Sequence, residues 1–281
     1  MTVTIGVPWN DLGSDSSPLA APSTVAVARG VAEPLAARVK RPAAQVRASF
    51  IQGERGGPPP PLARLLRGGR GGEVKLKVLL SILWVAVKDP HDVTLPARVW
   101  AELVGLPDPG GRGAHRVNSA LRQLVKTGYL RAESRPGEPS RLSLLDETGT
   151  GAPYTNPGLR VTQLREAKED FAAHRYVQVP TTLWVEGWIA ALHGPGLAML
   201  LVLLAQASGR DHENLWFSPG FADERFHLSE ETRKRGLDQL RDLGLVTVKK
   251  RPLTRSPLEV TRVRNTYTLD LKRLTTATPD P

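Results

Sequence analysis

Cysteine is absent from the chain, which removes disulfides, zinc ribbons and thiol catalysis together. A reducing compartment suits that composition, so a cytoplasmic location is expected. The first ten residues have neither the charged segment nor the apolar segment of a secretory signal, and no lipidation signal opens the chain. One uncharged stretch, 187–209, is long enough to span a bilayer. His-Gly-Pro-Gly at 193–196 interrupts it, leaving an apolar run at 197–207 of the length of a buried core helix. With no amphipathic basic helix bearing an aromatic face, a membrane is not expected as a partner.

Signatures of catalysis are scarce as well. The glycine-rich stretch 68–75 follows no strand and is not closed by Gly-Lys-Ser/Thr, so it is not a phosphate-binding loop. Neither a nucleophile elbow nor a dinucleotide fingerprint occurs. The six histidines, His91, His115, His174, His193, His212 and His227, are scattered. Asp223 and His227 form an i, i+4 pair that lacks a third ligand. The expectation is a non-enzymatic protein with no cofactor and no metal.

What the chain has is positive charge. With 38 Lys and Arg against 28 Asp and Glu, a formal net charge of +10 and a pI near 10.2, polyanions are the preferred partners and nucleic acid leads among them. At 281 residues the chain can hold two domains.

The organising stretch is 228–250. Ser229 suits an N-cap, Glu230 and Glu231 stand in the first turn where the helix dipole favours acids, and Leu237, Leu240 and Leu243 share the inward face. Gly244 can take the left-handed conformation that ends a helix, and 245–248 then reads as a strand entering a basic turn. Lys234, Arg235 and Arg241 lie off the leucine stripe, turning a cationic face to solvent. A cationic helix followed at once by a strand and a basic hairpin resembles the third helix and wing of the winged helix-turn-helix DNA-binding class.

The same order occurs earlier in the chain. An apolar helix over 74–87 precedes a short strand at 93–95, a helix at 97–106 beginning after Pro96, and a third helix at 114–127. Val117, Leu121, Leu124 and Val125 are its inward residues, and Arg116, Asn118, Ser119 and Arg122 its outward ones. Gly128 ends that helix, and strands at 129–132 and 141–145 flank a turn at 135–138. Leu121, Gln123, Leu124 and Gly128 match Leu237, Gln239, Leu240 and Gly244, each pair 116 residues apart. A period of that length implies two copies of one domain, because solenoid repeats are about 20–50 residues long.

The implied fold is α+β, mainly α, with two winged-helix domains in tandem preceded by a disordered N-terminal arm. Residues 1–72 form the Pro/Gly/Arg-rich arm, with a helical turn at 61–67 lying against the first domain. Domain 1 covers 73–146, a linker with a polar connector helix at 163–174 covers 147–175, domain 2 covers 176–272, and 273–281 is a tail. Domain 2 opens with a strand at 176–180 and a helix carrying Trp184 and Trp188. This opening resembles that of winged-helix domains in plasmid and phage replication proteins.

The resemblance implies a third helix in the major groove and a wing over phosphates. The DNA-binding residues expected are then Arg112, His115, Arg116, Asn118, Ser119 and Arg122 in the first copy. In the second they are Thr232, Lys234 and Arg235 on the helix and Lys249, Lys250, Arg251, Arg255 and Arg262 on the wing, where Arg264 also returns. Arg233 departs from the pattern, since an apolar residue is usual one turn before Leu237. The expected partner is double-stranded DNA, with a second copy of the chain or the replication or transcription machinery as further candidates. Three functions remain open: a transcriptional regulator, a plasmid-type replication initiator on origin repeats, and a winged-helix protein-interaction scaffold.

Overall fold

The computed structural model describes residues 22–67, 70–207, 212–252 and 263–279. The molecule is α+β and about 52 % helical, with its strands confined to small sheets. The N-terminal segment contributes α1 (Pro22–Val39), β1 (Ala43–Arg47), α2 (Ala48–Ile51) and α3 (Pro61–Leu66). The first half follows with α4 (Arg70–Val85), β2 (Asp92–Thr94), α5 (Ala97–Leu103), α6 (Arg112–Lys126), β3 (Leu130–Glu133) and β4 (Arg141–Leu144). After α7 (Pro157–Glu166), the second half runs β5 (Tyr176–Pro180), α8 (Thr182–Val185), α9 (Trp188–Ala191), α10 (Gly194–Ala207) and α11 (Pro219–Phe226). It closes with α12 (Glu230–Asp242), β6 (Val246–Pro252), β7 (Val263–Leu269) and α13 (Leu271–Thr276).

Each half runs helix, short strand, helix, helix, hairpin. In the first, the antiparallel sheet has the order β2-β4-β3. In the second, Leu215 forms a bridge to Tyr267 of β7, which pairs with β6, so the order is the same. The helix endings repeat atom for atom. Gly128 and Gly244 have φ of 76° and 70°, which side chains with a Cβ rarely adopt. The amides that follow turn back identically: Tyr129 N–H to the Leu124 carbonyl at 2.9 Å, and Leu245 N–H to the Leu240 carbonyl at 2.8 Å. The 116-residue offset is therefore present in backbone geometry as well as in sequence.

Helix α10 is the centre of the core. Its only partly exposed residues are Pro195, Ala205 and Gln206, and α12, α4 and β5 pack around it. Among the described residues no helix is long and apolar enough to cross a membrane.

Three expectations are corrected. The first is the disordered arm over 1–72, because residues 22–67 are folded into the body; the part at 1–21 lies outside the described residues. Val25, Ala28, Ala32 and Leu35 give α1 one buried face, which packs against α5 of the first half and α8 and α9 of the second. Strand β1 pairs antiparallel with β5, Ala43 opposite Pro180 and Arg47 opposite Tyr176. Arg47, 1 % exposed, is ion-paired with the fully buried Glu147 and donates to the Thr155 carbonyl at 2.8 Å. Burial raises the Glu147 carboxyl above its usual range, and the Arg47 charge opposes that rise.

The second correction concerns independent domains at 73–146 and 176–272. One hydrophobic cluster includes Leu79, Leu124, Leu200 and Leu240 from both halves. Trp84 and Trp184 stack with centroids 4.7 Å apart. Their indole N–H groups donate across the junction, to Thr181 Oγ1 at 3.2 Å and to Ser81 Oγ at 2.9 Å. Buried Lys77 meets Glu73 at 2.9 Å, and Glu73 accepts from the Gly194 amide at 2.9 Å at the start of α10. Burial alone would raise the Glu73 carboxyl. Lys77, the Gly194 amide and His193 outweigh it and hold the group below the usual carboxylate value.

The third correction is local. The connector helix is Pro157–Glu166, capped by Asn156, whose side chain accepts from the Leu159 amide at 2.9 Å. In the 163–174 range only the last turns of α7 and a 3-10 turn at Ala172–His174 are helical. Gly187, at φ 81°, likewise splits the expected Trp184–Trp188 helix into α8 and α9.

Candidate nucleic-acid interface

Helix α6 begins after Gly111, and the Asp108 carboxylate takes the cap by accepting from the Arg112 amide at 2.8 Å. Gly113, Val117, Ala120 and Leu124 form its buried stripe against α4 and α5. Val125, expected inward, is 37 % exposed, since one step past Leu124 carries it off that stripe. Arg112, His115, Arg116 and Arg122 are exposed and Ser119 is partly so, on the arc opposite the stripe. Asn118 is also exposed, but it borders a shallow cleft with Leu95, Pro96, Leu121, Glu138 and Ser140. It therefore faces the hairpin turn rather than the front of the helix.

Helix α12 is capped as its sequence requires. Ser229 Oγ accepts from the Thr232 amide at 3.2 Å, and its hydroxyl also bonds Thr232 Oγ1 at 2.8 Å. Thr232, expected to reach DNA, thus has its hydroxyl engaged in the cap. Arg233 stands 116 residues after buried Val117 and takes the corresponding inward place, 7 % exposed. Its guanidinium is ion-paired with Asp223 of α11 and bonded to the Leu228 carbonyl. The departure from an apolar residue is therefore a tie between the two helices. It also occupies the acid of the Asp223/His227 pair. Among the described residues no group of three or more potential metal ligands converges.

The two copies distribute charge differently. No acid occurs between Asp108 and Glu133, so every charge on α6 is positive. In α12, Arg233, Lys234, Arg235 and Arg241 are matched by Glu230, Glu231, Asp238 and Asp242. Arg241 meets Asp238 and Asp242, each at 3.0 Å, and Arg235 is 3.8 Å from Glu231.

The hairpins are reversed. In the first, Arg131, Glu133, Arg135, Glu138 and Arg141 mix both signs, and Arg141 is ion-paired with Asp92. In the second, Lys249, Lys250 and Arg251 are consecutive and exposed on β6, opposite Thr266, Asn265 and Arg264. Arg255 and Arg262 lie outside the described residues. Cationic character thus sits on the helix in the first half and on the hairpin in the second.

Sequence reading missed Trp216, which is 50 % exposed beside this hairpin. The signal available was alternation. Leu215 and Phe217 turn inward, which sends Trp216 outward.

Comparison with protein-family models, with curated proteins and with solved structures found no match.

Proposed function

We propose that the chain is a sequence-specific double-stranded DNA-binding protein built on two winged helix-turn-helix units, and that it acts as a transcriptional regulator. The observation that carries this proposal is the acid-free exposed face of α6, a helix that enters a hairpin in the arrangement repeated by α12. A helix of about 10–12 Å diameter fits the major groove, and its cations, of which Arg112 alone meets an acid, Asp108 at 3.7 Å, draw it to phosphate. Arg112, His115, Arg116, Ser119 and Arg122 form the reading face of the first unit. In the second unit Lys249, Lys250 and Arg251 position the chain on phosphates, and Arg235 and Lys234 are the readers.

A second proposal, a replication initiator on repeated origin sites, is favoured by the shared core. The fixed relation of α6 and α12 suits a direct repeat read by one chain, without a dimer axis. Direct repeats beside the coding region would favour the initiator, and an inverted repeat in a promoter the regulator.

The test is salt-titrated binding to selected and random duplexes. Replacing Lys249, Lys250 and Arg251 with alanine should weaken both complexes alike and lower the slope of log K against log salt by about one for each phosphate no longer neutralised. Arg116→Ala should cost about 1–3 kcal/mol on the selected duplex with less effect on the random one. A hairpin variant with the parent's affinity and slope would remove the second unit from the interface.

A further inference from the structure

The Leu215 bridge to Tyr267, closed by two amide–carbonyl bonds of 2.8 Å, adds a third edge to the β6–β7 hairpin and so defines two faces. Side chains alternate along paired strands. Leu215, Tyr267, Val246 and Leu269 take the inner face and are all buried, with Phe217 stacked on Tyr267 at 5.5 Å. Their neighbours point the other way. Trp216 comes from the bridging edge and Thr266 and Arg264 from β7, while Lys249 lies opposite Thr266 and Arg251 opposite Arg264.

On this outer face the Arg264 guanidinium carbon lies 4.3 Å from the Trp216 ring centroid. Arg264 Nε is buried, with no hydrogen-bond partner among the described residues. The guanidinium is thus held against the indole by ring attraction, and the indole remains half exposed.

We propose that this outer sheet face binds single-stranded nucleic acid, with Trp216 and Arg264 as a stacking platform for bases and Lys249 and Arg251 as phosphate contacts. A half-exposed ring backed by a guanidinium and flanked by cations combines the aromatic surface and the basic track that unpaired strands require. Bases of a duplex are already stacked, and a ring on an open sheet does not reach into a groove to meet them. A second copy of the chain is disfavoured by charge, since a two-fold contact would bring three cations against their own images. The face shares Lys249 and Arg251 with the duplex interface proposed above. It stands, however, on Trp216 and Arg264, which duplex binding does not use.

The experiment is anisotropy with labelled oligothymidylate of about 12 nucleotides and with a labelled duplex, for the full chain and its variants. Trp216→Ala should weaken oligothymidylate binding by about 5- to 100-fold and leave duplex affinity unchanged, and Trp216→Phe should recover most of the loss. Arg264→Gln, which keeps the indole, should weaken the same complex by about 2- to 5-fold. Equal oligothymidylate affinity in the parent and both the Trp216→Ala and Arg264→Gln variants overturns the proposal. So does a parent dimer that becomes monomeric on Trp216→Ala in sedimentation, because the face would then be a self-interface. Loss of duplex binding in Arg116→Ala with oligothymidylate binding retained would support it, since the two surfaces then act separately.

Discussion

Arg47 and Glu147, 100 positions apart in the sequence, meet at the junction between the N-terminal segment and the loop after β4 with almost no exposure to water. A buried pair of this kind adds little net stability, yet breaking it leaves the buried Arg47 with only its longer 3.7 Å contact to Asp146. Glu147→Ala should therefore cost about 3–5 kcal/mol in urea unfolding, whereas Arg47→Met with Glu147→Leu should recover much of that. A larger loss in the double variant than in Glu147→Ala would mean that the hydrogen bonds from Arg47 to Thr155, rather than the charge pair, hold the junction. Glu73 behaves differently because its folded pKa is depressed. Its carboxylate stabilises the fold above the unfolded value of 4.5, and that contribution is lost as pH falls through the lower folded value. Glu73→Gln should destabilise at neutral pH, and the gap from the parent should narrow under acid. A constant gap between pH 7 and pH 3 would contradict the Lys77 and Gly194 interactions as its source.

At the scale of elements, the helix caps were legible because their chemistry is local. Ser229, Gly128 and Gly244 each act on backbone groups within a few positions, and all three stand where the sequence puts them. Helix α1 was not legible. Its buried face is made of one valine, two alanines and one leucine, which composition alone cannot tell from an unstructured arm, and its partners lie on α5, α8 and α9. Gln239 and Gln123 show how matched positions diverge. Gln239 accepts from the His193 amide at 3.0 Å and donates to the Ala191 carbonyl, whereas Gln123 is exposed. The same divergence governs how closely helices approach. A Cβ at Gly236 would collide with the Pro195 carbonyl and the Met199 side chain, while the matching position of α6 is Ala120, which is buried without difficulty. Gly236→Ala should therefore cost about 1–3 kcal/mol despite the better helix propensity of alanine. A gain in thermal midpoint would contradict the close packing of α12 on α10.

For the whole molecule, the pairing of β1 with β5 and the Trp84–Trp184 stack join segments far apart in sequence, so no local pattern announced that the two repeats share a core. The repeat itself was legible, as were the outward residues of α6. What could not be read was which cations of α12 its acids engage, because Asp238 and Asp242 meet Arg241 only once the helix has formed. A shared core implies that both halves unfold together, in one transition seen alike by far-ultraviolet dichroism and by fluorescence of the buried tryptophans. Whether both units dock on one duplex is decided by a hydroxyl-radical footprint of the full chain on a selected site. Two protected backbone segments about one helical turn apart are expected, with Arg116→Ala losing one of them and the hairpin variant weakening the other. A single segment that survives Arg116→Ala unchanged would contradict two-unit binding.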